Sequence, residues 1–109
     1  MHHVAMRVEL IAIIAVFAVA CARIVMPHPT LLDEQRAGAR WPGITIAELT
    51  RGRELYVGRC SVCHQPVLPS QIAAEAWPRH VAEMSERAHL SGEEQRLVVA
   101  YVVSMASRP

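Results

Sequence analysis

Beyond residue 44 the apolar positions recur every three or four residues, and no run shows the strict alternation of a half-buried strand, so the pattern predicts helices only. The first helix is expected over residues 45 to about 59, opened by a capping box of Thr45 and Glu48, with Leu49, Gly52, Arg53 and Tyr56 on one face. A second is expected from residue 74 or 78 to 88. Pro78 is tolerable there only in a first turn, and Trp77, His80, Val81, Met84 and Ala88 fall on one stripe. The third is opened by Ser91 and Glu94 and runs towards Pro109, with Leu97, Val98, Tyr101, Val102 and Met105 as its apolar face. The expected fold class is all-α, a small bundle of three main helices.

The N-terminal part reads differently. Residues 10 to 20 are an unbroken run of eleven apolar residues behind Arg7, followed by Cys21 and Arg23, which is the layout of a signal-peptide core. A membrane-spanning helix needs about 20 apolar residues, and extending the run that far brings in Glu9 or Arg23. An uncleaved helical anchor is the alternative. Residues 24 to 44 hold Pro27, Pro29, Gly38, Pro42 and Gly43 among mixed charges, and no apolar period is sustained, so they read as a tether or loosely packed arm. The expected organisation is a leader over 1–20, an arm over 21–44 and one domain over 45–109.

Such a domain has little to build a core from. Phe17 belongs to the leading run, which leaves Trp41, Tyr56, Trp77 and Tyr101 as the aromatic residues of the remainder. A domain of this size is marginal unless a disulfide, a metal or a cofactor reinforces it. All eleven basic residues are Arg, spread along the chain against ten acidic residues for a net charge of +1, so nothing reads as a nucleic-acid surface.

The chemistry sits between the first two helices, in Cys60-Ser61-Val62-Cys63-His64. Two thiols separated by two residues and followed at once by an imidazole are what covalent haem attachment requires. The thiols add to the two vinyl groups, and His64 coordinates the iron from beneath the ring. A thioredoxin-like pair would want a βαβ setting, which is absent. Zinc would need two further ligands, and His80 and His89 are nine apart where finger-like sites have three to five residues between them. Haem attachment takes place outside the bacterial cytoplasm, in agreement with the export signal. The expected cofactor is one covalent haem c on Cys60 and Cys63.

With these residues in place the chain resembles the class I c-type cytochromes over about residues 45 to 106. In that family a glycine and an aromatic residue precede the haem motif on the first helix, and an aromatic residue on the last helix packs against the glycine. Gly52, Tyr56 and Tyr101 occupy the corresponding places. The stretch 77–84 followed by the Ser91 helix is also similar to the short haem domains of quinohaemoprotein amine dehydrogenases. The resemblance implies a cytochrome c-like bundle around the haem, with a proline after the motif, Pro66 or Pro69, holding His64 through its carbonyl. It also implies a distal thioether where Met84 stands, twenty residues beyond His64. A soft sulfur ligand there raises the potential. His80, one turn earlier on the same stripe, is the alternative and would lower it, whereas His89 and Met105 are poorer candidates. Trp77 either shields the haem or anchors its helix.

Residues 18–20 with Cys21 resemble the lipobox of bacterial lipoproteins, with Ala18 where that family prefers Leu. The resemblance implies a lipid on Cys21 that ties the chain to the periplasmic side of the cytoplasmic membrane. The expected function is electron transfer between redox proteins at that surface, as a carrier or as the haem subunit of a respiratory or photosynthetic complex, and not catalysis. A haem-based ligand binder or sensor with an open sixth position is the alternative, and rapid binding of carbon monoxide by the reduced protein would distinguish it.

Overall fold

The computed structural model describes residues 25–62 and 65–109, and these form an all-α bundle of four helices. They are α1 (Leu31–Ala37), α2 (Ile46–Arg59), α3 (Trp77–Ser85) and α4 (Gly92–Ala106), with short 3-10 turns at Cys60–Val62, Pro69–Gln71 and Ala74–Ala76.

Each of α1, α2 and α4 starts in the same way. Thr30, Thr45 and Ser91 accept a hydrogen bond from the backbone three residues on, and Asp33, Glu48 and Glu94 return one to the cap residue. The second predicted helix begins at Trp77, with Pro78 in its first turn where no intrahelical N–H is needed. It ends at Ser85 and not at Ala88. The chain turns off through His89, whose φ of 54° lies in the left-handed region, and the Leu90 amide reaches back to the Ser85 carbonyl at 3.0 Å.

The most extensive contact is that of α2 with α4. It depends on Gly52, since a Cβ there would lie 2.1 Å from the Leu97 carbonyl oxygen and 2.9 Å from the Tyr101 Cβ. The missing side chain lets the two backbones cross at close range. Around this crossing lie Leu49, Leu55, Tyr56, Trp77, Val81, Val98, Tyr101 and Val102, all nearly excluded from water. Met105 also packs into this core.

The expectation of a loose arm is corrected for residues 26 to 44, which are fastened to the bundle by polar contacts. Arg53 donates to the Met26 carbonyl, Tyr101 to the Pro27 carbonyl at 2.7 Å, and Arg108 to the His28 carbonyl at 2.7 Å. Asp33, 1 % exposed, is held by both Arg36 and Arg108. Glu34 accepts the Ile46 amide at 2.6 Å, which ties α1 to the start of α2. Only Asp33 and Ala37 of α1 are buried while Leu31 and Leu32 face outward, so no apolar stripe announced the helix. Its single local signal was the Thr30–Asp33 pair, read only once its far partner Arg108 is known.

Candidate functional site

The last turn of α2 carries Tyr56 inward and ends on Cys60, the first residue of the paired-thiol motif, which is itself buried. Cys63 and His64 lie outside the described residues, as does Cys21. Cys60 opens onto a cavity of about 260 Å³ whose walls are Tyr56, Pro66, Val67, Ile72, Trp77, His80 and Met84. Among the described residues, Cys60, Tyr56 and His80 are the titratable side chains that line it, and no carboxylate or guanidinium does.

Three contacts shape this cavity. The Tyr56 hydroxyl donates to the Val67 carbonyl and pins the loop that follows the motif against α2. Burial, with the nearby Cys60 adding to it, pushes the Tyr56 phenol far above the usual tyrosine range, so it stays a neutral donor. The Trp77 indole N–H donates to the Pro69 carbonyl at 2.9 Å, and the Trp77 ring meets Tyr56 edge-on at 5.8 Å between centroids. Trp77 therefore anchors the start of α3 and also forms part of the cavity wall.

On α3, His80 and Met84 stand one turn apart, half-buried, and both face the cavity. The His80 ring packs against Trp77 at 6.2 Å. His89 does not join them. It is exposed in the turn after α3, where its carbonyl accepts from Arg59 at 3.0 Å. Met105 is 3 % exposed and belongs to the core. Of the two prolines, Pro66 lines the cavity and Pro69 lies buried beneath Trp77.

Val67 and Ile72 are wall residues that sequence reasoning did not single out. They sit in an irregular stretch with no period, so nothing marks them until α2 and α3 close around them. The result is an apolar cleft into which a thiol, a thioether and an imidazole project from two helices. That set of soft and borderline donors suits a largely apolar ligand carrying a transition metal.

No helix among the described residues is long and apolar enough to cross a membrane. No protein-family model matches the chain, and neither a curated protein nor a solved structure does.

Proposed function

We propose that the chain is an exported single-haem c-type cytochrome, held at the outer face of the cytoplasmic membrane, that passes electrons between redox proteins. The observation that supports this most is the shared cavity: Cys60 of the Cys-Ser-Val-Cys-His motif and the candidate distal residues Met84 and His80, far apart in sequence, line one apolar cleft. The donor chemistry fits the group. Cys60 and Cys63 would hold a haem through thioether bonds, His64 would ligate its iron, and Met84 would complete the coordination with His80 as its alternative. The haem supplies a one-electron iron couple.

The chain's own residues supply the setting. Tyr56 and Trp77 fix the loop and the helix that bear the walls, and Val67, Ile72 and Trp77 exclude water from the interior of the cleft. His64 and Met84, if both held the iron, would leave it no position for a substrate, which supports a carrier or a haem-bearing subunit over an enzyme. Cys21, through a lipid, or the apolar run 10–20 as a helix would tether it.

Production in a host that matures c-type cytochromes tests the core of this. The protein should emerge coloured, give a pyridine haemochrome of the c type, and keep its pigment through acid acetone. Cys60→Ala with Cys63→Ala should lose it. A colourless product, or a pigment that washes out of the denatured wild-type chain, overturns the proposal.

A further inference from the structure

Three large apolar side chains stand out as exposed among the described residues: Val25 at 66 %, Leu31 at 67 % and Leu32 at 69 %. All three lie within eleven residues of Cys21, at the end of the chain nearest the proposed anchor. Val25 stands four positions after Cys21, a reach of at most about 14 Å even when fully extended. A chain tethered at Cys21, or by the run that precedes it, is therefore held with Val25 close to the lipid surface.

The charge on α1 is sorted to match. Leu32, Gln35 and Arg36, spaced three and four apart, are exposed together, and Arg40 is exposed just past the helix end with its guanidinium 5.0 Å from the Trp41 ring centre. Both carboxylates of the helix are turned to other work. Asp33 is buried between Arg36 and Arg108, and Glu34 accepts the Ile46 amide. What α1 presents outward is Leu31, Leu32 and Gln35, with the Arg40 guanidinium just beyond its end, while Arg36 is tied to Asp33 and to the Ser107 carbonyl; apolar side chains beside a cation settle at the boundary of an anionic bilayer.

We propose that the outward face of α1, together with Val25, lies on the anionic surface of the membrane and fixes the orientation of the whole bundle. The proposal rests on the tethered reading given above. It has a consequence for the redox site. Glu34 docks α1 at Ile46, the first residue of α2, while Cys60 follows directly on its last, so that docking point and Cys60 are separated by the length of a 14-residue helix, about 21 Å. The cavity is thus carried at the end of α2 away from the α1 docking point, while Val25, beside the Met26 carbonyl held by Arg53, lies part-way along that helix.

Photo-crosslinking of the full-length protein in phosphatidylcholine–phosphatidylglycerol vesicles tests this, with p-benzoylphenylalanine in place of Leu32 or, as the comparison, in place of Glu86. Glu86 is exposed in the turn between α3 and α4, and that turn is joined by the His89 carbonyl to Arg59 at the far end of α2. Both positions are on the surface, and an unchanged helical circular dichroism spectrum shows that each variant folds. Lipid adducts at position 32 should exceed those at 86 by roughly tenfold, and Arg40→Glu should cut them several-fold. Equal yields from the two positions in a membrane-held protein overturn the orientation alone. So does a yield at 32 that consists only of protein adducts when the experiment is repeated in native membranes. Release of the protein into the soluble fraction removes the tethered reading and this proposal with it.

Discussion

Replacement of Gly52 by alanine tests the crossing on which the bundle is built. In the middle of a free helix this change would stabilise by about 1 kcal/mol, because alanine gives up less conformational freedom than glycine. At this position the added methyl group would lie 2.1 Å from the Leu97 carbonyl oxygen and 2.8 Å from its carbon. These are backbone atoms of α4 and cannot rotate aside. Ordinary contact begins near 3.4 Å, so α2 and α4 must separate by more than an ångström along that line. The cost falls on the most deeply buried layer, Leu49, Tyr56, Val98 and Tyr101. Overpacking of this kind costs about 1–3 kcal/mol and sometimes more, and the upper part of that range is expected because backbone must move. After the helical gain, Gly52→Ala should destabilise by about 1–3 kcal/mol, a fall in Tm of roughly 5–20 °C for a domain of this size. Gly58→Ala on the same helix is the control. A Cβ at Gly58 meets nothing within 4 Å, so this variant should be neutral or gain up to about 1 kcal/mol. Thermal unfolding followed by circular dichroism reads both. If Gly52→Ala melts at or above Gly58→Ala, the close approach of α2 and α4 is refuted.

Acid should loosen α1 through Asp33. Burial opposes ionisation of this carboxyl, but hydrogen bonds from Arg108 and from the Thr30 amide and hydroxyl outweigh it and hold the group well below its ordinary value of 3.8. A carboxyl depressed in the folded state stabilises fully above that ordinary value, and the contribution is lost as pH falls through and below it. Asp33→Asn should therefore lower stability by about 2 kcal/mol at pH 7, and the gap to wild type should stay constant down to about pH 4 and narrow only below it, still in large part present at pH 3; melting curves carried from pH 5 to pH 2 that stay parallel count against the ion pair. On the haem reading proposed above, Met84→Ala should abolish a methionine-to-iron charge-transfer band in the oxidised protein and lower its potential, while His80→Ala should leave the band in place. The opposite outcome assigns the sixth position to His80.

Three of the four helices were legible in the sequence, α3 by its apolar stripe with Pro78 in the first turn, and α2 and α4 by a local start that runs into an apolar period. A hydroxyl and a carboxylate three residues apart, ahead of an apolar period, need nothing from the rest of the chain, and Thr45 with Glu48 and Ser91 with Glu94 behave as that pattern predicts. Gly52 opposite Tyr101 was implied by the resemblance to the class I c-type cytochromes, and its physical basis is that a missing side chain lets two helices approach closely. The helix α1 was missed because its hold on the bundle is polar and distant. Asp33 and Arg108 are 75 positions apart, and the outward leucines break the period that would have marked a buried face.

For the candidate site, the amino-acid order alone determined the thiol pair with its adjacent imidazole and the single stripe bearing His80 and Met84, both being matters of spacing within a few residues. Only the tertiary structure decided that this stripe and Cys60 border the same cavity, that Tyr56 and Trp77 hold its walls through carbonyls at 67 and 69, and that His89 and Met105 lie outside it. The division is physical. Caps, periods and short motifs are set by bonds between near neighbours, whereas a cavity exists only where elements remote in the chain, here the end of α2, the loop at 66–72 and α3, are brought together.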